Sequence, residues 1–305
     1  MAGHVPDIRS SRFPPVAPAL IQVWGVEFRN PILLAAGTAG FGREIHGVVN
    51  LSRLGGIITK AVSPLPRSGN PPPRVAEFPG GMINSVGLAN PGAEVVAREM
   101  LPWLASNLSG TRVIVNVVGD VVEDYANVVR RLQDQTVVTA FELNVSCPNT
   151  ERGGEEFGAD SDVLSDLVLR CVAETDKPVL VKLAPTLPDV AATARAAAAS
   201  GAQGVSVINT MPGLVLEGGK GTDSPRPRLG GGRGGVSGPG LLPIGILATR
   251  RVTEATGLPV IGMGGVRTKD DVEQYLMAGA SLVAVGTAFL ADPRCPERIA
   301  GKLEV

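Results

Sequence analysis

Polar side chains that can bind an anion or move a proton recur where apolar segments of the sequence end. Two of the six lysines and three asparagines occupy such positions, namely Lys60, Lys182, Asn116, Asn144 and Asn209. An ammonium group beside a buried segment is costly unless it faces a cavity or an anion. The set therefore predicts a site for a neutral or anionic ligand rather than a group of unrelated solvated residues.

Cys147 is the candidate for proton transfer. It lies in NVSCPNT, directly after an apolar segment and before Pro148, which places it in a loop. A free thiol has a pKa of about 8.5, near enough to neutrality to act as a base once its surroundings help. The other two cysteines are expected to have no such role, Cys171 as a small buried hydrophobe and Cys295 in a surface loop.

Eight short apolar segments must position these side chains. They show no polar alternation and are separated by amphipathic segments, as expected for parallel strands covered by helices. An open, doubly wound sheet is the alternative, but no GxGxxG follows the first segment. The pattern predicts an α/β fold, a (β/α)8 TIM barrel, with functional groups at the carboxyl ends of the strands. The strands are expected at residues 31–36, 56–60, 112–118, 139–146, 178–184, 204–209, 259–265 and 282–287.

The remaining segments extend this barrel. Residues 20–30 alternate like a small hairpin, which we expect to close the bottom of the barrel. Residues 20–305 are predicted to form one barrel domain, and residues 1–19 a flexible N-terminal extension. Three connections follow strands and are expected over the top face, at residues 61–91, 149–160 and 211–240.

Glycine turns follow the seventh and eighth strands, at Gly264-Gly265 and Gly286-Thr287. In barrels these two turns often hold a phosphate through backbone N–H groups, because glycine lets the backbone approach the anion closely. Thr287 adds a hydroxyl donor. The pair of turns predicts a phosphorylated ligand.

Composition and charge exclude several classes of function. The 28 basic and 29 acidic residues leave no excess of positive charge for a nucleic-acid backbone. No segment reaches the roughly 18 apolar residues of a membrane span, so we expect a soluble, cytoplasmic protein. Paired carboxylates are not prominent at the strand ends, which argues against glycoside hydrolysis and a divalent-metal site. Glu142 is expected inside the barrel, where it needs a partner such as a lysine.

Nine motifs connect the sequence to a known family. ITKAV, GNPPPRV, GMINSVGLANPG, ELNVSCPN, VKLAP, INT, GGVSGP, IGMGG and VGTA follow one another as in dihydroorotate dehydrogenases. The chain resembles this family over roughly residues 20–292. The cysteine in the NVSCPN motif resembles that of the class 1 enzymes, the soluble cytosolic class. GFGREI, NPPPRVAE and GGMINSVGLANPG resemble the class 1B catalytic subunits.

The resemblance implies a flavoprotein that oxidises (S)-dihydroorotate to orotate in de novo pyrimidine (UMP) biosynthesis, with one FMN in each chain. Cys147 would be the general base that takes the proton from C5, while hydride leaves C6 for FMN. The substrate-binding residues carried over by motif are Lys60, Asn84, Ser85, Val86, Gly87, Leu88, Asn144, Asn209 and Thr210. The FMN-binding residues carried over are Ala36, Gly37, Lys60, Ala61, Asn116, Asn144, Lys182, Ile208, Gly238, Gly264, Gly265, Gly286 and Thr287.

Class 1B also implies a partner: an electron-transfer subunit that carries FAD and a [2Fe-2S] cluster and passes electrons to NAD⁺. Two catalytic and two electron-transfer chains would form a heterotetramer. The three scattered cysteines of this chain cannot ligate such a cluster, which agrees with a division of labour.

The sequence departs from the family pattern in places, and three alternative functions also fit its residues. Ala36 stands where the family commonly has serine, and residues 211–240 are longer and richer in glycine than usual. One alternative is a class 1A-like homodimer that uses fumarate. A second is a sugar-phosphate isomerase or aldolase without flavin, with Lys182 or Lys60 forming a Schiff base. A third is a flavin-binding scaffold that needs its partner to work.

Overall fold

The computed structural model describes residues 20–108, 110–146, 148–149, 155–218 and 224–303. The strands in chain order are β1 Ile21–Val23, β2 Val26–Phe28, β3 Ile32–Leu34, β4 Gly56–Ile58, β5 Val75–Phe78, β6 Gly81–Asn84, β7 Arg112–Val117, β8 Val138–Asn144, β9 Pro148–Asn149, β10 Glu155–Glu156, β11 Val179–Leu183, β12 Gly204–Val207, β13 Met211–Gly213, β14 Leu216–Glu217, β15 Arg226–Pro227, β16 Gly234–Ser237, β17 Val260–Met263 and β18 Leu282–Val285. The helices are α1 Ala93–Val95, α2 Leu101–Asn107, α3 Val122–Leu132, α4 Ser161–Val172, α5 Val190–Ala199, α6 Leu242–Thr256, α7 Lys269–Met277, α8 Thr287–Ala291 and α9 Cys295–Leu303. A π-helical turn, Val96–Met100, joins α1 to α2.

Eight parallel strands close into a barrel in the order β3, β4, β7, β8, β11, β12, β17, β18, and β18 pairs with β3. Seven of these strands lie entirely within their predicted segments, and β8 begins one residue before its segment. The predicted (β/α)8 barrel is therefore confirmed. Continuous apolar runs form these strands because one face of each packs on helices and the other fills the interior.

The barrel interior is apolar toward the amino ends of the strands. Its inward side chains form one buried cluster, with the members Leu33, Ile58, Ile114, Ala140, Leu180, Ile261 and Leu282 among them. Val23 and Phe28, from the β1–β2 hairpin, join this cluster, and Phe28 is fully buried. The hairpin therefore closes the bottom of the barrel, as predicted.

The first crossover, between β3 and β4, differs from the expected repeat. Its described residues contain two short 3-10 turns, Arg43–Ile45 and Leu51–Arg53, and no α-helix. Six glycines between residues 37 and 56 give this segment low helix propensity. Helix α9, which follows β18, instead contacts β3 and the Leu51–Arg53 turn.

The two longest connections are not plain loops. Strands β5 and β6, from residues 61–91, pair with β16 and β13, from residues 211–240, in a four-stranded antiparallel sheet in the order β13, β16, β6, β5. We call it the cap sheet. It covers a small apolar cluster of Ala76, Ile83 and Leu229. The two connections that supply its strands follow the carboxyl ends of β4 and β12. The cap sheet therefore belongs to the top face, as predicted for both connections.

Candidate active site

The inward side chains change from apolar to polar toward the carboxyl ends of four neighbouring strands. Inward positions lie two residues apart, so each polar group lies directly above an interior residue or glycine. The strand register pairs Asn116 with Glu142 and Lys182 with Ser206. This polar layer is fully or almost fully buried, and its members are Asn116, Glu142, Lys182 and Ser206.

Glu142 is the centre of the polar layer. Its Oε1 atom lies 3.7 Å from the Lys182 Nζ atom and accepts a 2.7 Å hydrogen bond from Asn116 Nδ2. The lysine partner predicted for Glu142 is thus Lys182. Three buried oxygens of the layer have no hydrogen-bond partner among the described residues, namely Glu142 Oε2, Asn116 Oδ1 and Ser206 Oγ. Buried polar atoms are normally paired, so the layer retains capacity for a polar ligand.

A second polar level lies above this layer. The side chain of Asn209 donates to Asn144 Oδ1 at 3.3 Å and accepts from the Thr210 backbone N–H at 2.8 Å. Lys60 follows β4 and is half-buried. No described residue forms a hydrogen bond or ion pair with its ammonium group. The barrel thus brings the predicted residues Lys60, Asn144, Asn209 and Thr210 to the carboxyl ends of its strands.

The cap sheet adds the predicted segment 84–88. Asn84 ends β6, is in register with Gly235 of β16, and donates its side chain to the Gly235 carbonyl at 3.3 Å. Gly235 in turn lies against Thr210, since a Cβ atom at this glycine would overlap the Thr210 side chain. Pairing of the two long connections therefore brings Asn84 close to the Asn209–Thr210 pair. Ser85, Val86, Gly87 and Leu88 follow and are all half-buried.

Glycines from three segments meet at one corner of the top face, which we call the glycine corner and define as Gly238, Gly264, Gly265, Gly286 and Thr287. The β17–β18 register pairs Met263 with Ala284, so the two following turns lie side by side. Thr287 Oγ1 donates to Ser237 Oγ at 2.7 Å, which joins the cap sheet to this corner.

The backbone N–H groups of the glycine corner are available for a ligand. Those of Gly238, Gly265 and Gly286 donate to no acceptor among the described residues. Gly265 has a φ of +75°, and a Cβ atom there would lie 2.5 Å from the Leu242 backbone nitrogen. A side chain at this position is therefore excluded both by the backbone conformation and by the close approach of the backbone of α6.

The remaining predicted cofactor residues, Ala36, Gly37, Ala61 and Ile208, follow strands of the barrel at its carboxyl face. Ala36 and Gly37 follow β3, and the preceding Ala35 donates its N–H to Val285 next to Gly286. Ile208 follows β12 and lies within 3.3 Å of the position of a Cβ atom at Gly264. Ala61 is buried directly after Lys60.

Cys147, the predicted base, lies outside the described residues. Of the two other cysteines, Cys171 is buried, as predicted, and burial raises its pKa above the ordinary value for a thiol. The prediction for Cys295 is wrong: it begins helix α9, is buried, and its Sγ atom contacts the Arg267 carbonyl at 3.4 Å. DPRCPER resembles a polar loop, but the sulfur faces the turn that follows β17.

Sequence reasoning missed three polar residues of this region. Ser206 belongs to the polar layer, Ser237 supports Thr287, and Tyr275 donates to the Gly264 carbonyl. Only Ser206 carried a usable signal, because it interrupts an apolar strand in the inward-facing register of Lys182. No group of His, Cys, Asp and Glu side chains among the described residues could hold a metal ion. None of the described helices is both long and apolar enough to span a membrane.

The fold and the candidate site together define a (β/α)8 barrel enzyme whose carboxyl face combines a polar layer with a glycine corner, where three N–H groups have no acceptor among the described residues. A family model of the dihydroorotate dehydrogenases matches residues 19–305. The chain therefore belongs to the dihydroorotate dehydrogenase family, which confirms the family and the enzyme type predicted from the nine motifs.

Similar proteins include three bacterial proteins named dihydroorotate dehydrogenase B (NAD(+)), catalytic subunit. The one from Geobacillus kaustophilus is 44% identical over 281 residues, which cover 92% of this chain and 88% of that protein. The one from Cutibacterium acnes is 45% identical, with 92% and 91% covered. The one from Desulforudis audaxviator is 41% identical, with 93% and 91% covered. The resemblance to class 1B catalytic subunits is confirmed.

Proposed function

We propose that this chain oxidises (S)-dihydroorotate to orotate in pyrimidine biosynthesis, as a catalytic subunit that passes electrons toward NAD⁺. Family membership and the names of its relatives support this reaction. The observation that carries the proposal is the combination, on one barrel face, of the glycine corner with a buried Lys–Glu–Asn layer.

The residues present fit FMN. Three N–H groups that donate to no described residue, those of Gly238, Gly265 and Gly286, suit a phosphate group. Asn116 Oδ1, which accepts from no described residue, suits an N–H donor of a flavin ring. Lys182, which like Asn116 contacts Glu142, supplies positive charge in the same layer. FMN would be held there, with Ala36, Gly37, Ala61 and Ile208 along its length. When bound, FMN supplies the acceptor for the hydride from C6 of dihydroorotate.

Substrate binding is assigned to the residues above the polar layer. Asn144, Asn209 and Asn84 offer amide donors and acceptors for the edges of the pyrimidine ring, and Thr210 adds a hydroxyl. Lys60, whose ammonium group has no described partner, would pair with the substrate carboxylate. The segment Ser85–Leu88 would close over the ring from the cap sheet.

Cys147 is assigned the proton at C5, which the neighbouring carbonyl group of the ring acidifies. A thiolate at this position would accept that proton while the C6–H bond is held toward the acceptor. β8 places Asn144 at the barrel mouth, and Cys147 follows Asn144 by three positions in the sequence.

The partner is proposed from the family resemblance. An electron-transfer subunit with FAD and a [2Fe-2S] cluster would accept the electrons, in a heterotetramer of two chains of each kind. The relatives named as NAD(+)-linked catalytic subunits favour this acceptor over fumarate. A sugar-phosphate isomerase without flavin is disfavoured by the family match over residues 19–305.

An anaerobic absorbance spectrum of the purified chain, before and after addition of L-dihydroorotate, tests the proposal. We expect a yellow protein whose flavin absorbance bleaches rapidly. A colourless chain that cannot take up FMN would refute the cofactor assignment. A yellow chain that dihydroorotate does not bleach, even with the partner subunit added, would refute the substrate.

A further inference from the structure

A buried tyrosine lies behind the glycine corner. Tyr275, on α7, is fully buried, and its hydroxyl donates a 2.8 Å hydrogen bond to the Gly264 carbonyl. Two glycines make room for the ring: a Cβ atom at Gly262 would overlap the ring edge, and one at Gly245 would overlap the hydroxyl. Burial raises the pKa of Tyr275, so the hydroxyl keeps its proton and remains a donor.

This hydrogen bond fixes the direction of one N–H group. The Gly264 carbonyl and the Gly265 N–H belong to the same peptide unit, which is trans. In a planar trans peptide the C=O and N–H bonds point in opposite directions. Since Tyr275 holds the carbonyl toward α7, the Gly265 N–H points away from α7, and no described residue accepts from it.

Glycine needs this external support more than any other residue. Gly264 and Gly265 have φ values of +117° and +75°, and without side chains they have no rotamer packing of their own to hold the turn. An anion site built from N–H groups is strong only when those groups are oriented before the ligand arrives.

We propose that Tyr275 is a positioning residue for the phosphate group of the cofactor, acting through the Gly264–Gly265 peptide. The inference rests on the proposed function, since it takes FMN as the ligand. Tyr275 is buried behind the turn and contacts the Gly264 carbonyl, so it would act through the peptide and not by contact with the phosphate. Its contribution is to hold the Gly265 N–H in the direction that a phosphate oxygen needs.

A second tyrosine provides a matched control. Tyr125, on α3, is also fully buried, and its hydroxyl donates a 2.8 Å hydrogen bond to a strand-end carbonyl, that of Asn144. It lies behind β8, whereas the glycine corner follows β17 and β18. Each hydroxyl therefore donates to a carbonyl at the end of a strand, but Tyr275 adjoins the glycine corner and Tyr125 does not.

The test compares FMN with riboflavin, which lacks the phosphate, in fluorescence titrations of the flavin-free full chain. For Tyr275→Phe we expect FMN affinity to fall by about three- to tenfold, because a misoriented Gly265 N–H would lose its hydrogen bond to the phosphate. Riboflavin affinity should be unchanged. The FMN-to-riboflavin affinity ratio should therefore fall in Tyr275→Phe and stay at the wild-type value in Tyr125→Phe.

Two results would overturn the inference: an unchanged ratio in Tyr275→Phe, or an equal loss of affinity for both flavins. A wild-type chain that binds neither flavin would instead refute the proposed function, so the two failures are distinguishable. If Tyr275→Phe does not fold, Tyr275→Met replaces it, because the flexible methionine side chain fills part of the same buried space without a hydroxyl group. The same fall in the ratio is expected.

Discussion

Glu142 shows what a single residue must satisfy inside this barrel. Its side chain has no exposed surface, and its charge is balanced by Lys182, which is also buried. Removing one partner of a buried ion pair leaves the other charge without compensation, which costs more than the pair itself contributes.

Glu142→Gln should therefore lower the free energy of unfolding of the flavin-free protein by about 3 kcal/mol or more, because Lys182 becomes an unpaired buried cation. Urea denaturation measures the change. Glu94→Gln is the matched control, since Glu94 pairs with Arg131 where both side chains are about half exposed. We expect less than about 1 kcal/mol there. Equal decreases in the free energy of unfolding of the two variants would show that the buried pair stabilises the protein no more than the exposed pair does.

Cys147→Ala should retain bound FMN and slow anaerobic flavin reduction by dihydroorotate by about 10²- to 10⁴-fold, the usual contribution of a general base. Stopped-flow absorbance measures the rate. In Cys171→Ala, which removes a buried thiol of α4, the flavin should be reduced at the wild-type rate, and the protein should lose only packing energy. Reduction at the wild-type rate in Cys147→Ala would contradict the assignment of the base.

Cys171 also predicts a pH dependence of stability. Burial raises its folded-state pKa above the ordinary thiol value of about 8.5, so above that pH the folded protein keeps the proton while the unfolded chain loses it. Stability is complete below that value and falls as pH rises, by up to about 1.4 kcal/mol per pH unit. Urea unfolding between about pH 8 and pH 10 should show a steeper loss in the wild type than in Cys171→Ala. Parallel curves would contradict this.

At the scale of an element, helix α7 carries Tyr275 and begins with a capping box. The Thr268 hydroxyl accepts from the Asp271 N–H, and the Asp271 carboxylate accepts from the Thr268 N–H. These bonds satisfy backbone donors that the first turn leaves free. The helix ends before Gly279, so both termini follow signals that the sequence shows.

Thr268→Ala should destabilise the protein by about 1 kcal/mol, the usual cost of a lost N-cap. Thr268→Ser, which keeps the capping oxygen, should stay within a few tenths of a kcal/mol of the wild type. Chemical denaturation followed by circular dichroism measures both. If serine were as damaging as alanine, packing of the threonine methyl group rather than capping would be the cause.

At the scale of the whole molecule, the hairpin at the bottom and the cap sheet at the top enclose the barrel from both ends. Phe28 and Val23 fill the interior below Leu33, Leu180 and Leu282. The polar layer is then sealed from solvent on that side, which keeps the Glu142–Lys182 pair in a low-dielectric environment.

Phe28→Ala should lower the free energy of unfolding by about 3–5 kcal/mol, because it opens a cavity in the barrel floor. Glu27→Ala changes the neighbouring exposed residue of the same strand and should stay within about 0.5 kcal/mol of the wild type. Guanidinium denaturation measures both variants. A small loss in Phe28→Ala would indicate that the hairpin is not part of the barrel core.

The sequence by itself determined the barrel and its family. Eight apolar runs with intervening helical patterns suffice for the strands, because burial on both faces leaves a local signature in each segment. Lys60, Lys182 and the three asparagines were visible because polar residues at the ends of such runs are costly without a ligand or partner. The family motifs then assigned chemistry to them.

Only the tertiary structure decided which distant residues meet. Asn144 and Asn209 are 65 positions apart and hydrogen-bonded, and Asn84 and Gly235 pair across the cap sheet. Nothing local in glycine-rich connections specifies such pairing, since their strands are short and share no strong alternation. Likewise, Cys295 reads as a surface residue and is buried by packing against the turn after β17. Tyr275 was not identified from the sequence, and packing of α7 behind the end of β17 is what places its hydroxyl against the Gly264 carbonyl.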